Sequence, residues 1–195
     1  MIENTKVSEK EITYFLEEFS KGDKKAFNRL LPLVYRELRK NAHNLRFRFF
    51  DLETLNTTAV VHETYLKILR SGSVNFKNRS HFYFVAARAM RQILVNASLK
   101  KRTLSRGGND KPLSLDEVKN HVHLSDQTSE ELLLVNDALK KLENENDRQA
   151  RIVECRFFGG MSVEETAVAL DISPATVKRS WNVARTWLYN QLKPE

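Results

Sequence analysis

The chain has one cysteine, Cys155, in 195 residues. A lone thiol cannot close an internal disulfide, so a cross-linked secreted scaffold is excluded and a reducing compartment is favoured. Ile152, Val153, Phe157 and Phe158 surround Cys155 in sequence, which reads as a buried structural thiol rather than a nucleophile. Glycine and proline are also sparse, at 6 and 4 residues, so little interrupts long helices. No apolar run approaches the roughly 20 residues that span a bilayer. Residues 1–10 are polar and carry no signal-peptide core. The expected location is therefore cytoplasmic, with no membrane partner. Catalytic signatures are missing too: no Walker-type loop, no Cys/His metal cluster, no paired carboxylates in an apolar setting and no serine elbow. His121 and His123 are two ligands where zinc wants four. No enzyme activity, cofactor or metal is expected.

A further absence is more pointed. Residues 64–109 contain ten Lys/Arg and no Asp or Glu, whereas residues 110–147 carry ten acids against four bases. An acid-free basic stretch of this length is an electrostatic footprint for a polyanion. An acidic membrane surface and a merely solvated basic face are the competing explanations.

What is present is helical periodicity throughout. Ser162 and Glu165 have capping-box spacing, followed by Val163, Thr166, Ala167 and Leu170 on one face of a short helix. Asp171-Ile172 breaks it, and Ser173-Pro174 restarts, with serine as cap and proline at the first helical position. Val177, Trp181, Ala184 and Leu188 then form one stripe, leaving Ala175, Lys178, Arg179, Asn182 and Arg185 off it. Two short helices with a tight turn, the second basic at its exposed start, form the unit that enters a DNA major groove. An ordinary helical hairpin is the bland alternative.

Upstream, the spacing predicts helices over residues 9–20, 24–44, 57–70, 80–102, 131–143 and 147–158. Pro32 should kink or restart the second, and Thr57 or Thr58 should cap the third. In the fourth, Phe82, Ala86, Ala89, Ile93 and Ala97 make the inward stripe, while Arg88, Arg91 and Gln92 lie away from it and Asn96 lies at its edge. Phe76, Tyr83 and Phe84 cluster at its front; arginines bind phosphates and aromatic faces stack on unpaired bases, while packing in the core is the equal alternative for Phe76 and Tyr83. The fold class is all-α: two helical domains, residues 9–103 and 131–192, joined by a flexible linker over 104–130.

This arrangement resembles the extracytoplasmic-function (ECF) sigma factors of the sigma-70 family. The residues that carry the likeness are Arg156-Phe157-Phe158-Gly159-Gly160-Met161-Ser162-Val163-Glu164-Glu165-Thr166-Ala167 with Ile172-Ser173-Pro174-Ala175-Thr176-Val177-Lys178-Arg179, similar to sigma region 4. Val61-His62-Glu63-Thr64-Tyr65-Leu66 and the run from Phe82 to Arg91 are similar to region 2. No region 3 fits between them, as in ECF members. The resemblance implies a non-catalytic initiation subunit that joins core RNA polymerase through the β′ clamp helices and the β flap and brings it to promoter DNA. It assigns the −35 element to Ser173, Ala175, Thr176, Lys178 and Arg179, with Arg185 on backbone phosphates. It assigns the −10 element to Asn75, Lys77, Arg88, Arg91, Gln92 and Asn96, and polymerase contact to His62, Glu63 and Lys67. It leaves room for an anti-sigma factor as a further partner and implies a monomer on the polymerase. The chain departs from many members at Asn56-Thr57-Thr58, where they carry an acidic pair, and at Asp171, where glycine is frequent. A stand-alone helix-turn-helix regulator is the alternative, although a sensor domain has no need of an acid-free basic stretch.

Overall fold

The computed structural model describes residues 9–48, 56–71, 74–105 and 126–193, and all regular structure among them is helical. Helix α1 (Glu9–Ser20) buries Ile12, Leu16 and Phe19. It ends at Gly22, whose φ of 103° favours a residue without Cβ. Asp23 then caps α2 (Lys24–Arg48), its carboxylate accepting from the Lys25 amide at 2.8 Å. α2 runs unbroken through Pro32 instead of restarting there, and past its expected end at residue 44. A mid-helix proline costs about 3 kcal/mol. Leu30, Val34 and Leu38, buried before and after it, each return about 1.5–3 kcal/mol by leaving water, so packing outweighs the lost bond.

Helix α3 (Thr57–Arg70) is capped by Asn56 rather than by Thr57 or Thr58: the Ala59 amide donates to Asn56 Oδ1 at 3.1 Å. The segment before the next helix is pinned to the end of α1. Ser20 Oγ donates to the Val74 carbonyl (3.0 Å) and accepts from the Phe76 amide (3.2 Å).

Helix α4 (Arg79–Ser105) organises the molecule. It contacts α1, α2 and α3, and it also contacts α5 (Asp126–Glu145), a π-helical turn (Glu154–Phe158) and α7 (Val163–Leu170). One apolar core continues from Ile12 in α1 to Ala184 near the C-terminus. The expected single stripe on α4 is correct at Phe82, Ala86 and Ala89, but Ile93 and Ala97 are only half-buried, and Ala87, Met90, Leu94 and Ser98 are buried as well. A helix that packs on two groups of neighbours buries more than one face.

α5 begins five residues before its expected start, so residues 126–130, read from sequence as linker, are helical. The greater part of that linker, with His121 and His123, lies outside the described residues. α6 (Asp147–Val153) is capped by Asn146, which accepts from the Gln149 amide at 3.0 Å. The helix expected to continue to residue 158 widens into the π turn, where the Gly159 amide reaches back to the Glu154 carbonyl at 2.9 Å. Gly159 faces α4 there. A Cβ on it would stand 2.7 Å from the Cys155 carbonyl oxygen and 3.2 Å from Ala87 Cβ, a close approach of two backbones that glycine permits. α8 (Pro174–Leu192) closes the chain.

Candidate nucleic-acid interface

The C-terminal unit forms as its sequence dictates. Ser162 Oγ accepts from the Glu165 amide (3.0 Å) and the Glu165 carboxylate accepts from the Ser162 amide (2.8 Å), a complete capping box at the start of α7. α7 ends at Asp171, which takes up the left-handed conformation (φ 55°, ψ 51°). Ser173 caps α8, with Pro174 in the first turn and the Thr176 amide on Ser173 Oγ at 3.2 Å. Ile152, Ala167 and Val177 form a small core of the unit's own, with Trp181 packed against it. The Arg156 guanidinium lies 5.6 Å from the centre of the Trp181 ring and donates to the Met161 carbonyl, tying the π turn to α8. With Val177 and Ala184 inward, Ser173, Ala175, Lys178, Arg179 and Arg185 are exposed and Thr176 half-exposed. These six expected contacts share the front and outer side of α8.

Asp171 gives a direct test of the turn. A left-handed residue with a side chain costs roughly 1–2 kcal/mol relative to glycine, offset in part by the greater freedom of glycine in the unfolded chain. Asp171→Gly is therefore expected to stabilise the protein by about 0.5–1 kcal/mol, read as a higher denaturation midpoint at unchanged m. A lower midpoint would mean that the Asp171 side chain makes a favourable contact.

The α4 surface differs from its sequence reading. Phe76, Tyr83 and Phe84 are buried, so here they are core rather than an exposed stacking platform. Phe76 and Phe82 meet edge-on with ring centres 5.5 Å apart, and Arg79 lies over the Tyr83 ring at 5.1 Å. Burial pushes the Tyr83 phenol above its ordinary pKa, against the pull of Arg79. Gln92 and Asn96 are exposed and hydrogen-bonded to each other at 2.9 Å. Asn75 and Lys77 are exposed on the segment leading into α4.

The two arginines expected to face solvent are engaged by the other half of the chain. Arg91 is buried. Its Nη1 lies 2.6 Å from Glu154 Oε1, and its Nη2 donates to Asn136 Oδ1 at 3.0 Å. Arg88 is exposed, as its place off the stripe implies, but is ion-paired, with Nε 3.3 Å from Glu154 Oε2 and Nη2 3.5 Å from Glu143 Oε1. The side chain of Glu154 is 4% exposed. Burial raises its pKa above the usual carboxylate value, and Arg88 and Arg91 pull it back. Sequence reasoning missed Glu154, Asn136 and Glu143. The available signal was an acid, Glu154, inside the apolar run from Ile152 to Phe158.

His81 links the segment before α4 to the helix. Its Nδ1 accepts from the Lys77 amide at 3.3 Å, and its own amide donates to Asn78 Oδ1 at 2.8 Å. Burial lowers its pKa below the ordinary histidine value, and the charge of Lys77 adds to this. Protonation would also remove the acceptor for Lys77. The unfolded chain takes up the proton first, so the stability due to His81 is complete above the ordinary histidine pKa and is lost as pH falls through the lower folded value. Between about pH 7.5 and about pH 5 the wild type should lose more thermal stability than His81→Gln, which does not titrate there. Equal losses would remove this role.

On α3, His62 and Lys67 are exposed and Glu63 is half-buried, while Val60, Val61, Thr64 and Ile68 face the core. Among the described residues no helix is long and apolar enough to cross a membrane.

A helix-turn-helix carrying exposed basic residues, joined to a basic helical bundle, is the arrangement of a DNA-binding protein. The family model described as ECF sigma factor matches residues 9–194, and the chain belongs to that family, whose role is in transcription initiation. The family implies RNA polymerase and promoter DNA as partners. A solved structure titled "Structure of CnrH in complex with the cytosolic domain of CnrY" is similar at 17% identity and a TM-score of 0.40, covering 92% of this chain and 95% of that one. No curated protein matches the chain.

Proposed function

We infer that the chain directs core RNA polymerase to promoters by reading a −35 element with α8 and engaging a −10 element with α4 and the segment before it. Residues 9–103 serve as the region 2-like unit and residues 131–192 as the region 4-like unit. Ser173, Ala175, Thr176, Lys178 and Arg179 face the major groove, with Arg185 on flanking phosphates. Asn75, Lys77, Arg88, Arg91, Gln92 and Asn96 serve the −10 strand, and His62, Glu63 and Lys67 contact the polymerase clamp. The observation that carries this reading is the pair Lys178 and Arg179, exposed on a doubly capped two-helix unit whose opposite side is packed. Run-off transcription with purified core polymerase, with and without the chain, on a library of upstream regions tests it. The expected result is chain-dependent transcripts from a subset that shares two spaced elements. Transcripts independent of the chain, or no association with core polymerase, would overturn it.

A further inference from the structure

We propose that Glu154 stands in for a nucleic-acid phosphate, clasping Arg88 and Arg91 in a closed form that withholds them from DNA until the two halves of the chain part. This rests on the function proposed above, in which those arginines meet the −10 strand.

The clasp joins distant parts of the chain. Arg91 and Glu154 are 63 positions apart, and both are almost fully buried. Guanidinium donors match carboxylate and phosphate oxygens alike, so an arginine pair that can grip one can grip the other. Residues 64–109 have no acid of their own, and the arginines find theirs in the C-terminal half: Glu154 for both, and Glu143 for Arg88. Asn136 occupies a further Arg91 donor.

Glu154 opens the π turn, an irregularity that often marks a functional position in a helix. Gly159, at the end of that turn, lets it approach Ala87 on α4, next to Arg88 and one turn before Arg91. A buried ion pair is a poor source of net stability, because desolvation offsets its attraction. Its attested uses are to set register or act as a switch, and the partners here lie on opposite halves of the chain. A closed form lowers apparent DNA affinity by the fraction of molecules that are open.

The test uses the full chain without polymerase and a fluorescein-labelled single-stranded oligonucleotide, read by anisotropy at fixed salt. Glu154→Gln keeps the shape of the side chain and removes its charge; it should bind about tenfold more tightly than wild type as the open fraction rises. Adding Arg88→Ala and Arg91→Ala to that variant should abolish the gain. Glu143→Gln, at a half-exposed position that tolerates the change, should give a smaller gain in the same direction and serves if Glu154→Gln does not fold. Unchanged binding by the folded variants, or a gain that survives loss of both arginines, would overturn the clasp. The failures are distinguishable: chain-dependent transcription with unchanged oligonucleotide binding removes the clasp alone, whereas loss of chain-dependent transcription removes the function on which it rests.

Discussion

Phe82→Ala is expected to lower stability by about 3–5 kcal/mol, the usual cost of truncating a buried phenylalanine to alanine. Phe82 is 1% exposed and packs edge-on against both Phe76 and Tyr83, with ring centres 5.5 and 5.3 Å away. It also borders an apolar void of about 10 Å³ shared with Phe27, Leu30, Val34, Tyr65 and Ile68. Its neighbours sit on α2, α3 and α4, which hold one another in place, so the space left by the ring cannot close by a local shift. Against a total of about 5–15 kcal/mol, such a loss leaves a marginal fold. Denaturant titration should show a large fall in midpoint with little change in slope. A loss below about 1 kcal/mol would mean that the bundle repacks freely, contrary to its dense aromatic core. The segment bearing Asn75 and Lys77 should loosen too, because Phe76 holds it from beneath.

Arg179→Ala should weaken binding of the polymerase complex to its own promoter by about 1–3 kcal/mol while leaving binding to unrelated duplex DNA nearly unchanged. Arg179 is exposed on α8, clear of the buried Val177 and Ala184, so its loss should alter folding stability by no more than about 0.5 kcal/mol. The comparison is made with matched and scrambled −35 duplexes at two salt concentrations. Equal weakening on both, with a salt slope reduced by about one unit, would reassign Arg179 to a phosphate contact. No weakening on either would remove α8 as the reading helix.

Local signals carried much of the structure. Ser162 with Glu165, and Ser173 with Pro174, state their helix starts within four residues, and both are found where the sequence places them. The exposed set on α8 followed from the spacing of Val177, Trp181, Ala184 and Leu188. Two expectations shifted because a neighbouring influence proved stronger. Asn56 takes the cap from Thr57 and Thr58, and of the kink or restart expected at Pro32 the restart does not occur, because packing carries α2 through it. The surface of α4 was less legible for a different reason. Periodicity tells which face of a helix meets an apolar neighbour, not how many neighbours arrive. Alanines at 86, 87 and 89 suit either water or a close-packed partner, and Arg91 declares its buried carboxylate only when Glu154 is brought to it. That pairing is long-range, and no window along the chain contains both members.

The near-contact of Gly159 with Ala87 makes bulk a control separate from charge. A Cβ at position 159 would crowd both the Cys155 carbonyl of its own turn and Ala87 Cβ, so a larger group at 159 or 87 presses the π turn away from α4. In the opening proposed above, the ease of parting would be set partly by girth at these two small residues, a control that leaves every arginine and carboxylate unchanged.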